Sequence, residues 1–310
     1  MNNPHYSVMT ASLTPLDQNL DIAGQHLAHH VQWLLSRKAS GVILFGTTGE
    51  GNSFSASERK KGLEAVLHAG IEPERLMVGT GCCALTDTLD LTKHALDVGV
   101  HQVLMLPPYY YKKPTDDGLL ASFDHLLQCV GTSKIEVYMY HFPQMTGIPI
   151  TFELMERLLH AYPNHIRGLK DSSGDREGIL AMIRHFPQLH IYAGSEQFLL
   201  DSLRAGGAGC ISATANVTSM LASELVFQST SPRSDNLQHH LYQIRQVIEQ
   251  WPMIAALKAL MLHITGNDLW SNIRPPLRPL SSKDTQKCIQ SYESAMSIGH
   301  PRNSSSPLHA

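Results

Sequence analysis

Lys170 closes the short apolar run His165-Ile-Arg-Gly-Leu-Lys and is followed at once by the turn Asp171-Ser-Ser-Gly. A flexible, strongly hydrated cation is an odd choice for the end of a buried strand unless its amine reacts, and a desolvated lysine amine can attack a carbonyl carbon to form a Schiff base. Two further runs end in groups that suit the same chemistry. Tyr140 supplies a phenol able to exchange protons with a substrate oxygen. Gly46-Thr-Thr-Gly-Glu50 supplies two hydroxyls and closely approachable backbone N–H groups just ahead of a helix, which suits a carboxylate. Each feature alone has a bland explanation: a solvated lysine, a packed aromatic, a tight turn with capping threonines. An amine, a phenol and a carboxylate cradle delivered together at the ends of three runs are hard to obtain from packing demands.

The elements that must position them are legible as an alternation. Runs rich in β-formers recur at Tyr6–Thr10, Val42–Phe45, Leu76–Gly79, Gln102–Leu106, Ile135–Tyr140, Ile166–Leu169, Leu189–Tyr192 and Gly209–Ser212. Between them lie helix signals. Leu27, Val31, Leu34 and Leu35 share one helical face, Ser55-Ala-Ser-Glu58 reads as a capping box, Gly99 closes a helix begun near Thr86, and Thr151 and Asp175 suit N-caps. Alternating strands and helices demand parallel strands with right-handed crossovers, and eight such units close a (β/α)8 TIM barrel. An open doubly wound sheet is the alternative, but no G-x-G-x-x-G follows the first strand. We expect the barrel over residues 1–220 and a helical C-terminal extension packed on it over 221–300, with helices near Leu237–Gln250 and Ile254–Ile264 ahead of Arg274-Pro-Pro-Leu-Arg-Pro. Residues 301–310, Ser-rich and aperiodic, are expected to be frayed.

In such a barrel the chemistry sits at the carboxyl ends of the strands, so Pro107-Pro-Tyr-Tyr-Tyr111 and Gly194-Ser-Glu196 join the candidate rim. With these motifs the chain resembles the dihydrodipicolinate synthase and N-acetylneuraminate lyase superfamily of class I, Schiff-base-forming aldolases. The resemblance runs from about Val8 to Leu280 and rests on Gly46-Thr-Thr-Gly-Glu, Tyr140-x-x-Pro143-x-x-Thr-Gly147 and Gly168-Leu-Lys-Asp taken together. It implies that Lys170 forms an imine with the keto carbon of pyruvate or another 2-oxo acid, with an aldehyde as second substrate and no separate cofactor. It also implies that Tyr140 relays protons, with Thr47 and Thr48 orienting the phenol and holding the carboxylate. The family's rim tyrosine, often contributed across a subunit interface, falls on Tyr110, with Tyr109 and Tyr111 as alternatives in the triple tyrosine. Gly194, Ser195 and Glu196 align with the turn that meets the distal part of longer substrates, and Ile211 with a position lining the oxo-acid pocket. A homotetramer built as a dimer of dimers is implied as well.

One departure bears on substrate. Where dihydrodipicolinate synthases carry an arginine that holds a second carboxylate, this chain has Met145, which has no charge and no strong donor. Losing a charge-assisted contact costs a dicarboxylate-like partner ~1.5–3 kcal/mol. That disfavours lysine-pathway synthesis and points to aldolases of 2-keto-3-deoxy sugar acids such as 2-keto-3-deoxygluconate; dehydratase members share the same lysine. Ser195 and Glu196 would then meet substrate hydroxyls, unless Ser195 only caps the following helix. A noncatalytic 2-oxo acid sensor on the same barrel is the reading from a different class.

Composition excludes other classes. A 310-residue chain with 43% hydrophobic and 16% charged residues and a formal net charge of −3 has core to bury and no basic block to meet nucleic acid or an anionic membrane. No apolar stretch approaches the ~20 residues needed to span a bilayer, and the N-terminus lacks a basic and an apolar signal region, so a cytoplasmic protein is expected. Cys82, Cys83, Cys129, Cys210 and Cys288 form no CxxC and are expected to be reduced thiols. Among 18 histidines, His26 and His30 share a helical face and His29/His30 and His239/His240 are adjacent, but no third ligand stands at metal spacing; solvated helix histidines and no metal are expected. His141 should point to the face opposite Tyr140, in a structural role.

Overall fold

Aliphatic and β-branched runs too short for helices fall into strands at the predicted places. The computed structural model describes residues 7–131 and 134–298. Its strands are β1 (Ser7–Ala11), β2 (Gly41–Leu44), β3 (Leu76–Gly79), β4 (Gln102–Met105), β5 (Glu136–His141), β6 (Ile166–Asp171), β7 (His190–Ala193) and β8 (Gly209–Ser212). All neighbours pair in parallel, and β8 pairs with β1 to close the barrel. Tyr6, the expected start of the first strand, and the tail 301–310 lie outside the described residues.

The helices are α1 (Gly24–Ser36), α2 (Ala56–His68), α3 (Leu85–Asp97), α4 (Asp116–Val130), the short α5 (Pro143–Thr146), α6 (Phe152–Ala161), α7 (Arg176–His185), α8 (Leu199–Arg204), α9 (Ala215–Phe227), α10 (Ser234–Ile248), α11 (Met253–Thr265) and α12 (Ser282–Ile298). The capping box forms as read: the Ser55 hydroxyl accepts from Glu58 N–H while the Glu58 carboxylate accepts from Ser55 N–H. Thr151 caps α6 through its hydroxyl, whereas the Asp175 side chain makes no cap bond to α7. Helix α12 falls within the expected helical extension, although the sequence reading places no separate helix there. Its buried stripe is Cys288, Tyr292 and Ala295, a thin and weakly apolar face that gives little helical signal.

Strand alternation sorts the side chains into two layers. Tyr138 and Tyr140 of β5 join Met9, Ile43, Leu104, Tyr192 and Ile211 inside the barrel, while Val137 and Met139 face the helices. Gly168 of β6 is required by this packing: a Cβ there would stand 2.8 Å from the Tyr138 ring and closer still to the His190 carbonyl. A second core, including Ile244, Ile248, Leu257, Leu260, Met261 and Trp270, forms among α10, α11 and the C-terminal segment and takes in Leu13 from just beyond β1. No single helix among the described residues is long and apolar enough to cross a membrane.

Candidate active site at the carboxyl ends of the strands

Register brings the two reactive side chains together. β5 and β6 pair so that Tyr140 stands opposite Lys170 and His141 opposite Asp171; the first pair faces the barrel interior and the second the helix side. Lys170 is 5% exposed. Its Nζ donates to the Tyr140 hydroxyl at 3.2 Å and lies 4.3 Å from the centroid of the same ring. Among the described residues no carboxylate forms an ion pair with it. The phenol in turn lies 3.5 Å from Thr47 Oγ1, and its ring stacks on Phe142 at 5.7 Å. Amine, phenol and threonine hydroxyl therefore form a continuous polar chain from the barrel interior to the β2 turn. Thr48, beside them, is buried.

That turn is built under strain. Phe45 and Glu50, at its two ends, both take left-handed backbone angles, with φ of 56° and 58°. For residues other than glycine such angles cost about 1–3 kcal/mol each and persist only where the surroundings over-determine them. Between them Glu50 N–H donates to Thr47 O at 3.1 Å, Gly51 N–H to Gly46 O at 3.0 Å, and Thr14 Oγ1 to Gly49 O at 2.7 Å. None of these bonds uses the N–H of Thr47 or Thr48. Gly51 admits no side chain, because a Cβ would overlap the Phe45 carbonyl at 2.0 Å. A small cavity of about 10 Å³ adjoins the phenol, lined by Gly46, Thr47, Asn52, Gly79, Gly81 and Tyr140 among others.

The remaining expected residues fall into different places. Ile211 is fully buried inside the barrel in the same layer as Tyr140. Gly194 N–H donates to Asp171 O at 2.6 Å, and Ser195 Oγ accepts from Gln197 N–H at 3.1 Å, so this serine caps a short helical turn. Glu196 corrects the expectation of a rim carboxylate. It is 1% exposed, and its oxygens accept from Thr214 Oγ1 at 2.5 Å, Thr218 Oγ1 at 2.8 Å and Ser212 Oγ, with the Arg245 guanidinium at 3.3 Å. The carboxylate ties β8 and α9 to α10 instead of facing substrate. Tyr110 also lies apart from its own chain's site: it is 73% exposed and meets Tyr111 edge-on at 5.4 Å. Tyr109 is the tyrosine that turns toward the cradle, donating to Asn52 Oδ1 at 2.9 Å, and burial with a Cys83 contact pushes its phenol upward from the ordinary range.

The histidines divide. His141 Nδ1 accepts from Ile150 N–H at 2.9 Å, and burial lowers its pKa, which suits the expected structural role. His26, His29 and His239 are exposed, but His30 and His240 are buried, contrary to the expectation of solvated helix histidines. His30 Nε2 donates to Asn216 Oδ1 at 2.9 Å and its ring packs against Trp270 at 4.7 Å; burial pulls its pKa down to about 4. Asn216 is held by donating to Ala11 O and Ala213 O, which fixes its oxygen as the acceptor. Among the described residues no three His, Cys, Asp or Glu side chains come together as a ligand set.

Four contributors escaped the sequence reading: Asn52, Asn216, Arg245 and Lys258. Only Lys258 carried a signal, a lone cation inside the apolar helical run Ile254-Ala-Ala-Leu-Lys-Ala-Leu-Met.

Known proteins share this fold. The Dihydrodipicolinate synthetase family model matches residues 5–295. An uncharacterized DapA-like lyase of Chloroflexus aurantiacus is 35% identical over 293 residues, covering 93% of this chain and 96% of the relative. The crystal structure of dihydrodipicolinate synthase from Agrobacterium tumefaciens superposes with a TM-score of 0.87 at 29% identity, over 94% of this chain and 99% of that one. A variant of 2-keto-3-deoxygluconate aldolase from Sulfolobus solfataricus, at 22% identity, shares the fold with a TM-score of 0.84 over 94% of this chain and 97% of its own. The chain therefore belongs to the dihydrodipicolinate synthetase family, in which its relatives are named lyases and synthases.

Proposed function

We propose that this protein is a Schiff-base-forming lyase that cleaves or forms the carbon–carbon bond between a 2-oxo acid of the pyruvate type and an aldehyde. The observation that carries the reading is the buried Lys170 amine at 3.2 Å from the Tyr140 hydroxyl, with no carboxylate in an ion pair with it among the described residues. Attack on a ketone uses the uncharged amine, and the phenol is placed to give its own proton to the carbonyl oxygen as that oxygen leaves, which turns Tyr140 into the phenolate that cleavage needs. The Lys170 nitrogen bonds to the keto carbon, the carbonyl oxygen leaves as water, and a protonated imine remains. In cleavage a proton leaves the substrate's C4 hydroxyl for Tyr140, the C3–C4 bond breaks, and its electron pair enters the imine to give an enamine with release of aldehyde. Protonation of C3 and hydrolysis return the oxo acid and free Lys170. The imine is itself the electron sink, so this sequence calls for no metal or prosthetic group.

In this reading Thr47 orients the phenol and Thr48 with its neighbouring N–H groups holds the carboxylate. Gly194 and Ser195 border the distal part of the substrate, and Ile211 lines the oxo-acid end. Tyr110, exposed on the rim, is suited to a neighbouring subunit's site, as a homotetramer acting in the cytoplasm would use it. The aldehyde is an open-chain hydroxylated one, as in 2-keto-3-deoxy sugar acids, because Met145 offers no charge at the position where a second carboxylate would need one. The synthase reaction is the second reading, favoured by the 29% identity to the Agrobacterium enzyme. A screen of 2-keto-3-deoxy acids for pyruvate release, run beside pyruvate with aspartate semialdehyde, decides between them. We expect the higher kcat/KM for a deoxy sugar acid; a clear advantage for the semialdehyde assigns the synthase reaction instead.

A further inference from the structure

The turn that carries Thr47 and Thr48 is held from behind by the C-terminal extension. Glu50, its last strained residue, is 3% exposed, and its carboxylate contacts the ammonium of Lys258, a residue of α11 that is 1% exposed. Lys258 Nζ also donates to Asn272 O at 2.9 Å, and Asn272 Nδ2 donates to Leu16 O at 2.9 Å. Two residues on, Arg274 N–H reaches Glu50 Oε2 at 3.4 Å, while its guanidinium donates to Ser53 O at 2.7 Å and Leu20 O at 2.6 Å and lies over the Phe54 ring. Both the strained corner and the residues just past it are thus gripped by one segment more than 200 residues away in sequence.

We infer that Glu50 and Lys258 are positioning residues for the carboxylate cradle: the buried ion pair fixes the left-handed corner at Glu50 and through it the placement of Thr47 and Thr48. Glu50 N–H donates to Thr47 O at 3.1 Å, so a corner that relaxes toward ordinary backbone angles takes the Thr47 carbonyl, and with it the Thr47–Tyr140 contact, out of place. Burial lowers the Lys258 pKa while the Glu50 charge opposes that shift. Removing one partner alone leaves the other charge stranded in the interior. The inference rests on the Schiff-base reading and adds to it a role for the extension in choosing carboxylated ketones.

The test compares borohydride trapping of pyruvate with that of acetone, a ketone without a carboxylate, in wild type, Glu50→Gln, Lys258→Met and the double variant. Acetone trapping counts the competent Lys170 in every sample and so corrects for misfolded protein. We expect the pyruvate-to-acetone rate ratio at subsaturating ketone to fall by ~10-fold or more in each single variant, a misplacement of about 1 Å being worth up to 10²-fold. The double variant, which strands no charge, should fold best and still show the lowered ratio. A purely structural pair would lower the melting temperature and leave the ratio at its wild-type value, and that result overturns the inference. If wild type itself traps neither ketone, the Schiff-base reading fails instead, an outcome separable from the first.

Discussion

Two lysines are buried among the described residues, and they are buried differently. Lys258 lies in the helical extension against a carboxylate and a main-chain carbonyl, so its charge is matched and its position fixed. Lys170 lies at a strand end against a phenol and an aromatic face, with no carboxylate in contact among the described residues. Burying an ammonium is costly unless it is paired. The chain provides the pair at Lys258 and omits it at Lys170, which meets a phenol instead. Burial alone is thus a poor guide to reactivity; on the proposed function, the partner is what separates the structural Lys258 from a nucleophilic Lys170.

The sharpest way to break this contrast is to remove the unpaired amine. Lys170→Ala is expected to abolish turnover and imine formation while the fold, measured by circular dichroism, persists; a variant that still cleaves substrate at the wild-type rate would demote Lys170 to packing. Next in size is the partner that replaces a carboxylate. Tyr140→Phe is expected to lower kcat by about 10²–10⁴-fold, the usual worth of a positioned acid–base group, while slow imine formation continues. Full activity in that variant would show that the phenol only fills the barrel.

His30 sharpens the comparison as a buried titratable group held neutral. Its folded pKa, about 4, lies below the unfolded 6.5. Protons therefore bind the unfolded chain first as pH falls, so stability is full above 6.5 and is lost down to about 4. The loss amounts to about 3 kcal/mol. Urea unfolding at both ends of that window should show this excess loss in wild type relative to His30→Gln; equal losses would mean that other groups carry the acid sensitivity.

The strands were legible because short aliphatic runs between capping signals leave little choice, and their bounds lie within a few residues of those read. The facing of Tyr140 and Lys170 was implicit too, since each ends a run and a parallel register brings strand ends level. What stayed hidden depends on contacts between distant residues. Glu196 reads as a rim carboxylate until Arg245 arrives from α10 to draw it inward. His30 reads as solvated until Asn216, 186 residues later, accepts its proton. Lys258, a lone charge in an apolar helix, escaped the reading, and nothing local to either residue says that its partner is Glu50.

The most direct measurement is to incubate the protein with pyruvate, reduce with borohydride, digest it and map the modified lysine by mass. The account predicts that the irreversible adduct lies on Lys170 and that Lys258 is unmodified. An adduct on Lys258, or none on either lysine at saturating pyruvate, would contradict it.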